Sequence, residues 1–347
     1  MNMWCEVYVN TLNENLKKVK TLSNKSVISV VKGNAYGLGI SEVSKIIEND
    51  TEIFGVSTLE EANMITSNKD ILIMTPVCEI PMKPKVNHIY TIDSLNDLKL
   101  FNSSEKYRVH IYLDTGMNRL GIKPKDVDKL ITDIREKHNN INIEGIYTHL
   151  NDTINVEKTK KQISILKEVY DKYKDEIKWV HCLNSKGLLN KELRECTSFT
   201  NLVRAGNVLY GYIGENNGFK KAFQVRAKVV KRYTVKENGN IGYGSKFKIK
   251  KGTVVGVLPC GSIDKIGFKR DGKPDIIKDC LRTIKNSIKR RSYIDFKGRK
   301  LYELCEPNMN CTLIDITNIN VNDNEEIIVN LNLSPIQADS FIEKQYI

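Results

Sequence analysis

The sequence lacks the features that place a chain in a membrane or a secretory pathway. No apolar run is long enough to cross a bilayer, and Met1–Asn10 has neither the basic nor the apolar region of a signal peptide. The eight cysteines include no Cys-x-x-Cys pair, which favours reduced thiols and offers no metal-ligand spacing. We therefore expect a cytoplasmic protein that is not bound to a membrane and holds no metal.

Acidic residues are fewer than basic residues, and the resulting excess of positive charge is unevenly distributed along the chain. The formal net charge is +12, and the segment 265–300 holds thirteen Lys or Arg residues against four Asp residues. We interpret this segment as a solvated helical face, because neither interleaved aromatics nor a known binding motif marks it as a nucleic-acid site. No nucleic-acid partner is predicted, while weak steering of anionic substrates stays open.

Eight strand-like apolar runs alternate with helical patterns over the first two thirds of the chain. Near-continuous apolar strands separated by helices predict a parallel sheet. Eight of them favour a closed (β/α)8 barrel over residues 1–218, with an open doubly wound sheet as the second choice. The strand-like runs are 27–32, 53–58, 71–75, 88–92, 109–114, 143–149, 179–184 and 201–205, and the helical segments include 41–49, 94–101, 124–137 and 157–173.

After residue 218 the pattern changes to short strands separated by turns. A chain of 347 residues, 40% of them apolar, is long enough for one large α/β domain and a smaller one. We therefore predict that residues 219–347 form a separate, mostly β domain. Its predicted strands are 225–235, 253–258, 313–316 and 326–332, with one helical pattern at 275–291.

Several chemically capable side chains lie where the predicted barrel strands end, which is the rim that carries the chemistry of (β/α)8 enzymes. Any one of them alone would be an ordinary strand end, but five positions on one rim predict an active site. A partly desolvated lysine at such a place is a candidate for a covalent bond to a carbonyl compound. The five positions are Lys32, Asp114, His149, Asn184 with Ser185, and Arg204.

A phosphate site is predicted beside this rim. Ser185 follows the seventh predicted strand and Gly206-Asn207 follows the eighth, where many barrels bind phosphate through backbone N–H groups and hydroxyls. The rim thus combines a lysine, a phosphate site and an arginine. That set suits pyridoxal phosphate, and it would also suit a class I aldolase.

Two segments of the chain resemble the hallmark motifs of the alanine racemase family. Residues 30–39 (VVKGNAYGLG) resemble the family's cofactor-lysine signature, and residues 113–121 (LDTGMNRLG) resemble its second hallmark. Four shorter segments follow in the family's order, so that the resemblance covers nearly the whole chain: Thr148-His149, 181–185 (HCLNS), 203–206 (VRAG) and 241–244 (IGYG).

The resemblance implies that the chain binds pyridoxal 5'-phosphate through positions that match the family's motifs. Lys32 would hold the cofactor covalently, and Arg204 would donate a hydrogen bond to its ring nitrogen. His149 would link Arg204 to Tyr243. The phosphate would be held by Tyr36, Ser185, Gly206 and the near-terminal Tyr346, with Asn184 and Asn207 beside them.

The resemblance also implies racemisation of alanine by two bases in a homodimer. Lys32 and Tyr243 would exchange the α-proton on opposite faces of one carbon, and the ordinary pKa of each side chain, about 10, must be brought towards neutrality. Tyr243 would extend from the mostly β domain into the site of the partner subunit. Arg119, aided by the backbone of Met309, would hold the substrate carboxylate.

Four departures from the family pattern leave the substrate side chain open, and one of them is the long basic segment 265–300. Tyr112 stands where the family often has a carbamylated lysine, Gly261-Ser262 stands for a Gly-Tyr pair at the entrance, and Asn310 replaces an aspartate. A serine racemase or a broad-spectrum racemase of the same family is therefore an alternative to an alanine racemase.

Two other classes of pyridoxal-phosphate protein fit the sequence less well. A fold-related decarboxylase would share the barrel and the cofactor lysine, and Cys305-Glu306 is weakly similar to its catalytic run, but residues 113–121 match racemases far better. A protein that only binds the cofactor would be a smaller single barrel, without the predicted β domain or a counterpart of Tyr243.

Overall fold

The computed structural model of this chain describes residues 2–75, 80–266, 292–319, 326–333 and 342–347. These residues form two compact units, one of Tyr8–Ala222 and one of Met1–Val7 with Phe223–Ile347. The first seven residues, which the sequence places with the barrel, thus lie in the second unit. Strand β1 (Met3–Val7) pairs there with residues 223–227, a contact between distant parts of the chain that no local pattern reports.

The first unit is a closed barrel of eight parallel strands. The last strand closes the ring on the first, with Ser26 opposite Leu202 and Ser29 opposite Ala205. This confirms the predicted (β/α)8 fold and excludes the open sheet. The strands are β2 (Ser26–Val30), β3 (Ile53–Val56), β4 (Asp70–Ile73), β5 (His88–Ile92), β6 (Tyr107–Leu113), β7 (Ile141–Thr148), β8 (Trp179–His181) and β9 (Leu202–Ala205).

Helices alternate with these strands. Their buried faces are formed by apolar residues at helical spacing in the sequence. In α1, for example, Leu12, Leu16 and Val19 are buried, at the spacing of a helix that packs on one side. The segment predicted as a helix at 94–101 is a 3-10 helix, Leu95–Leu100. The α-helices are α1 (Val9–Ser23), α2 (Lys32–Gly37), α3 (Ile40–Ile47), α4 (Leu59–Asn63), α5 (Val127–Lys137), α6 (Val156–Tyr173), α7 (Ser185–Leu189) and α8 (Lys191–Cys196). None of the helices described is both long enough and apolar enough to span a bilayer.

An apolar cluster fills part of the barrel and supports the residues of the site. Tyr36 and Met74, which both line the cavity described below, pack against this cluster. Burying each large apolar side chain contributes roughly 1.5–3 kcal/mol, so the floor of the cavity rests on a well-packed core. The cluster consists of Ile28, Val30, Ile53, Leu72, Ile89, Trp179 and Leu202.

The second unit is built from strands, as predicted for the end of the chain. A six-stranded sheet has the order β16-β15-β18-β10-β1-β19, and two smaller sheets have the orders β11-β14-β17 and β12-β13. The predicted strand 225–235 is two strands, β10 and β11. The helical pattern at 275–291 and most of the basic segment 265–300 lie outside the described residues. The strands are β10 (Phe223–Lys228), β11 (Lys231–Thr234), β12 (Gly239–Ile241), β13 (Phe247–Ile249), β14 (Val254–Leu258), β15 (Ile294–Phe296), β16 (Arg299–Leu301), β17 (Thr312–Asp315), β18 (Ile328–Leu331) and β19 (Glu343–Tyr346).

Candidate active site

A cavity of about 520 Å³ opens at the carboxyl ends of the barrel strands. Every barrel residue that the sequence analysis assigns to the cofactor or the substrate lines it, whereas Asp114 does not. The lining residues are Val30, Lys32, Tyr36, Ser57, Met74, Thr75, Tyr112, Arg119, Leu120, Tyr147, His149, Asn184, Ser185, Lys186, Arg204, Gly206 and Asn207.

Lys32 opens a left-handed helical turn. The next four residues, Gly33 to Tyr36, all have positive φ angles between 51° and 63°, a conformation that costs L-residues roughly 1–2 kcal/mol each. The Glu61 carboxylate stabilises the turn, because its Oε1 accepts hydrogen bonds from the backbone N–H groups of Gly33 (2.5 Å) and Asn34 (3.4 Å). The turn places both Lys32 and Tyr36 in the lining of the cavity.

The environment of Lys32 favours its neutral amine. Burial lowers the pKa of Lys32, and the nearby charges of Arg119 and Arg204 lower it further, while Glu61 acts in the opposite direction. A lower pKa raises the fraction of unprotonated amine at neutral pH, and that is the form that attacks a carbonyl carbon or accepts a proton.

Arg204 is a buried cation, 4% exposed, that is held by neutral acceptors. Its Nη1 donates to His181 Nδ1 (2.6 Å), and its Nη2 donates to the carbonyl oxygens of Thr148 (2.9 Å) and Cys182 (3.1 Å) and, more weakly, to His149 Nδ1 (3.4 Å). Within the described residues no carboxylate pairs with it. Burial accordingly lowers the pKa of Arg204, so this side chain is suited to a ligand acceptor in the cavity.

The two histidines beside Arg204 are neutral. Burial lowers the pKa of His149 to about 3, with the charges of Arg204, Arg119 and Lys32 acting in the same sense. Burial also holds the pKa of His181 well below its usual range. Arginine can only donate, so both rings accept at Nδ1 and carry their proton on Nε2. The protonated Nε2 of His181 then donates to His110 Nδ1 (3.2 Å), a partner that the sequence analysis missed.

A stack of three rings runs over the adjacent strands β6, β7 and β8, between the two arginines. The Tyr112 ring lies parallel to the Tyr147 ring with 4.8 Å between centroids, and Tyr147 stacks on His181 at 4.7 Å. At one end of the stack the Tyr112 hydroxyl accepts a hydrogen bond from Arg119 Nη2 (3.5 Å). At the other end His181 accepts from Arg204. Tyr112 thus supports Arg119 through its hydroxyl at a position where the sequence analysis notes that the family often has a carbamylated lysine.

The loop that carries Arg119 is anchored by Asp114. Its Oδ1 accepts hydrogen bonds from the backbone N–H groups of Gly116 (3.0 Å), Met117 (3.0 Å) and Asn118 (3.1 Å), and its Oδ2 accepts from Lys123 Nζ (2.6 Å). Burial alone would raise the pKa of Asp114, but these hydrogen bonds outweigh it and hold the pKa below its usual value. Asp114 is therefore a structural support of the site.

Replacing Asp114 with Asn should destabilise the protein in a pH-dependent way. The amide loses the charge-assisted bond to Lys123, so we expect the free energy of unfolding to fall by about 1–3 kcal/mol at pH 7. A depressed carboxyl pKa stabilises the fold above the unfolded pKa and is lost as pH falls through the folded one, so the difference should narrow below about pH 4. Urea unfolding at several pH values measures both effects.

Asp128→Asn is the matched control for that experiment, because Asp128 is paired at the protein surface with Lys172 (3.2 Å) and Tyr173 (2.7 Å). It should change stability by less than about 1 kcal/mol. Equal unfolding midpoints for the two variants would contradict the anchoring role of Asp114.

A cradle of neutral hydrogen-bonding groups lies at another part of the cavity. Ser185 Oγ accepts from the backbone N–H groups of Gly206 (3.1 Å) and Val208 (3.3 Å). Tyr36 contributes a hydroxyl that stays protonated, because burial raises its pKa to about 12. Any side chain at position 206 would overlap the Tyr36 hydroxyl, which explains the glycine. Asn184 and Asn207 complete the lining here.

The predicted site residues of the second unit lie on its surface. Tyr243 is 84% exposed on a 3-10 turn, Tyr243–Ser245, and Met309 is 67% exposed. Backbone hydrogen bonds join the two loops that carry the departures from the family pattern, with the Ser262 N–H donating to the Asn308 carbonyl (2.8 Å). Tyr346 lies in β19. The structure assigns these residues to the second unit, whereas the cavity lining consists of barrel residues.

The charges of the cavity are all of one sign. Lys32, Arg119, Lys186 and Arg204 line it, and no carboxylate is among the lining residues that the structure describes. Pyridoxal phosphate fits this donor set: it has a phosphate for the neutral cradle, a carbonyl carbon for Lys32 and a ring nitrogen that can accept from Arg204. No group of histidine, cysteine or carboxylate residues that could hold a metal ion occurs in the described part of the chain.

Comparisons with known proteins agree with this geometry. Residues 7–214 match the family model of the alanine racemase N-terminal domain. The alanine racemase of Fusobacterium nucleatum is 32% identical over 286 residues, 78% of each chain. That of Helicobacter pylori (strain Shi470) is 32% identical over 289 residues, 75% of each chain. In fold, the chain matches the solved alanine racemase of Clostridium difficile 630 with a TM-score of 0.81 at 22% identity, over 100% of this chain and 96% of that one. On these grounds the chain belongs to the alanine racemase family.

Proposed function

We propose that this protein is a pyridoxal-phosphate-dependent racemase that interconverts L- and D-alanine. The observation that carries the proposal is the cavity itself, in which a lysine of lowered pKa, two arginines and a neutral phosphate cradle face one space, and in which no carboxylate is among the described lining residues. An amino acid and pyridoxal phosphate bring the two anions, a carboxylate and a phosphate, that such a cavity would accept.

Nine residues would hold the cofactor. Lys32 would bind it covalently, Arg204 would donate a hydrogen bond to the ring nitrogen, and His149 would steady Arg204. The phosphate would lie against Tyr36, Ser185, Gly206 and Tyr346, with Asn184 and Asn207 alongside. When bound, the cofactor withdraws electrons from the α-carbon of the amino acid and so weakens its C–H bond.

The protein's own acid and base move the proton. Lys32 acts on one face of the α-carbon, where its lowered pKa makes it a competent base. Tyr243 acts on the other face. Because an arginine does not give up its proton, Arg204 would leave the ring nitrogen unprotonated, which limits electron withdrawal and disfavours transamination.

Arg119 would bind the substrate carboxylate, with the backbone of Met309 as a second contact. The Tyr112 hydroxyl and the Asp114-anchored loop orient the Arg119 guanidinium. A carboxylate held at one fixed point leaves the α-carbon in one position for both enantiomers, as a racemase requires.

The decisive test of the proposed function is chiral analysis of products. The purified protein is incubated with pyridoxal phosphate and, in turn, each of a panel of L-amino acids, and the enantiomers are separated chromatographically. D-alanine should form until the two enantiomers are equal in amount. If no D-amino acid appears from any substrate, the racemase assignment is wrong.

We further propose that the active unit is a homodimer with shared sites. Tyr243 is 84% exposed in one chain, which is unusual for a residue with an acid/base role and suits a side chain that enters a partner's cavity. Mixing Lys32→Ala chains with Tyr243→Phe chains should restore part of the activity, since one site of the heterodimer then carries neither change. Absence of complementation after verified subunit exchange would contradict shared sites.

Serine is the second candidate substrate, and the surface of the second unit favours it. Ser262 and Asn310 are both exposed and together offer a neutral, hydroxyl-tolerant entrance in place of a tyrosine and an aspartate. A site that hydrogen-bonds a substrate hydroxyl discriminates strongly against substrates that lack it. An apolar pocket discriminates between substrates that differ by one methylene by only about 1–3 kcal/mol. We therefore expect serine to be turned over at a rate comparable with alanine.

The Ser262→Tyr variant tests this specificity. Filling the entrance should lower kcat/KM for serine and larger amino acids more than for alanine. The measurement compares kcat/KM for both substrates in variant and parent. Equal slowing of both substrates, or exclusion of serine by the parent, would contradict the specificity argument and leave the racemase proposal intact.

A further inference from the structure

Lys186 is a cation in the cavity to which neither the sequence analysis nor the proposed mechanism gives a role. It directly follows Ser185 in the chain and lines the cavity with it. Its side chain is exposed, and among the described residues it forms no ion pair, hydrogen bond or cation–π contact. A lysine without a protein partner beside a ligand cavity is available to the ligand.

The neighbouring phosphate cradle supplies hydrogen bonds but no charge. It consists of the Ser185 and Tyr36 hydroxyls and the backbone around Gly206, with Asn184 and Asn207 beside them. A phosphate monoester carries a charge of about −1.5 to −2 at pH 7. Neutral donors alone would leave that charge uncompensated, because the other lining cations have partners or roles elsewhere: Arg204 with the histidines, and Arg119 with Tyr112.

We propose that Lys186 is the cationic phosphate ligand of this site and selects the phosphorylated form of the aromatic aldehyde cofactor. The proposal rests on the proposed function for the identity of the cofactor. Because no carboxylate is among the described lining residues, none of them competes with the phosphate for the ammonium. Because the side chain is exposed, water and salt screen the pair, so its contribution is moderate and depends on ionic strength.

The test compares binding of pyridoxal phosphate and of pyridoxal, which lacks the phosphate, to the full-length protein after removal of cofactor. Equilibrium dialysis at low and high salt gives Kd for the parent, Lys186→Met and Lys186→Arg. Lys191→Met is the matched control: it removes a nearby exposed lysine that is not part of the cavity lining and lies 3.9 Å from Glu195.

Lys186→Met should raise Kd for pyridoxal phosphate by about 5- to 20-fold at low salt, the scale of one screened charge-assisted hydrogen bond. It should leave Kd for pyridoxal unchanged and flatten the salt dependence. Lys186→Arg should restore most of the affinity, and Lys191→Met should bind like the parent. An unchanged Kd for pyridoxal phosphate in Lys186→Met, or an equal loss for both ligands, would overturn the proposal.

The test of Lys186 can be distinguished from the test of the proposed racemase function. A parent protein that binds pyridoxal phosphate through Lys186 but racemises no amino acid would refute the racemase assignment alone. If the parent binds no pyridoxal phosphate, inorganic phosphate titrated into parent and Lys186→Met still decides whether Lys186 is an anion ligand, with weaker binding by the variant as the supporting result and equal binding as the refuting one.

Discussion

The Lys32→Ala variant is expected to lose the covalently bound cofactor and more than about 10⁴-fold in racemase activity, because it removes a covalent attachment together with a proton-transfer group. Lys32 lines the cavity and has a lowered pKa. Alanine leaves the cavity otherwise intact, so the barrel should still fold.

Mass spectrometry after borohydride reduction and dialysis measures the result directly, because reduction makes the bond between lysine and cofactor permanent. The parent should gain the mass of the cofactor and Lys32→Ala should not. Lys191→Met is the control, since it removes an exposed lysine that is not part of the cavity lining and should keep the covalent adduct. A cofactor adduct on Lys32→Ala would mean that another lysine is the attachment point.

The Tyr243→Phe variant is expected to keep the covalent cofactor and to lose about 10²–10⁴-fold in racemisation, the scale of one positioned acid/base group. The change removes a single hydroxyl from an exposed side chain, so neither folding nor cofactor binding should respond. Proton exchange through Lys32 should survive for one enantiomer.

Incubation of each alanine enantiomer in heavy water, followed by nuclear magnetic resonance of the α-proton, separates these activities. One enantiomer should exchange its proton without inversion in Tyr243→Phe, while the parent exchanges and inverts both. Tyr233→Phe is the control, because Tyr233 is also exposed and lies in β11 of the same unit. Parental racemisation by Tyr243→Phe would refute the two-base assignment.

The barrel and its cavity follow from local sequence patterns. Near-continuous apolar runs identify buried parallel strands, and parallel strands that close into a barrel bring their carboxyl ends to one rim. Lys32, His149 and Arg204, far apart in sequence, therefore line one cavity, as the predicted rim requires.

Other parts of the site depend on contacts that no local pattern reports. Glu61 supports the turn after Lys32 from 28 residues away, and nothing in its own surroundings sets it apart from Glu60. His110 lies inside the apolar strand β6 and His181 ends β8, and a histidine at either place resembles any packing residue until the contact between the two rings is known. Strand β1 pairs with β10 and β19, which are separated from it by the whole barrel.

The like-signed charges of the cavity link the stability of this protein to its ligand. Folding brings Lys32, Arg119 and Arg204 close enough for the two arginine charges to lower the pKa of the lysine, and the unfolded chain has no such repulsion. An anion that binds only the folded chain adds RT ln(1 + [L]/Kd) to its stability, about 2.7 kcal/mol at a hundred times Kd. A phosphorylated ligand of the proposed kind would therefore stabilise the folded chain, and the fraction of folded chains would rise and fall with the concentration of that ligand.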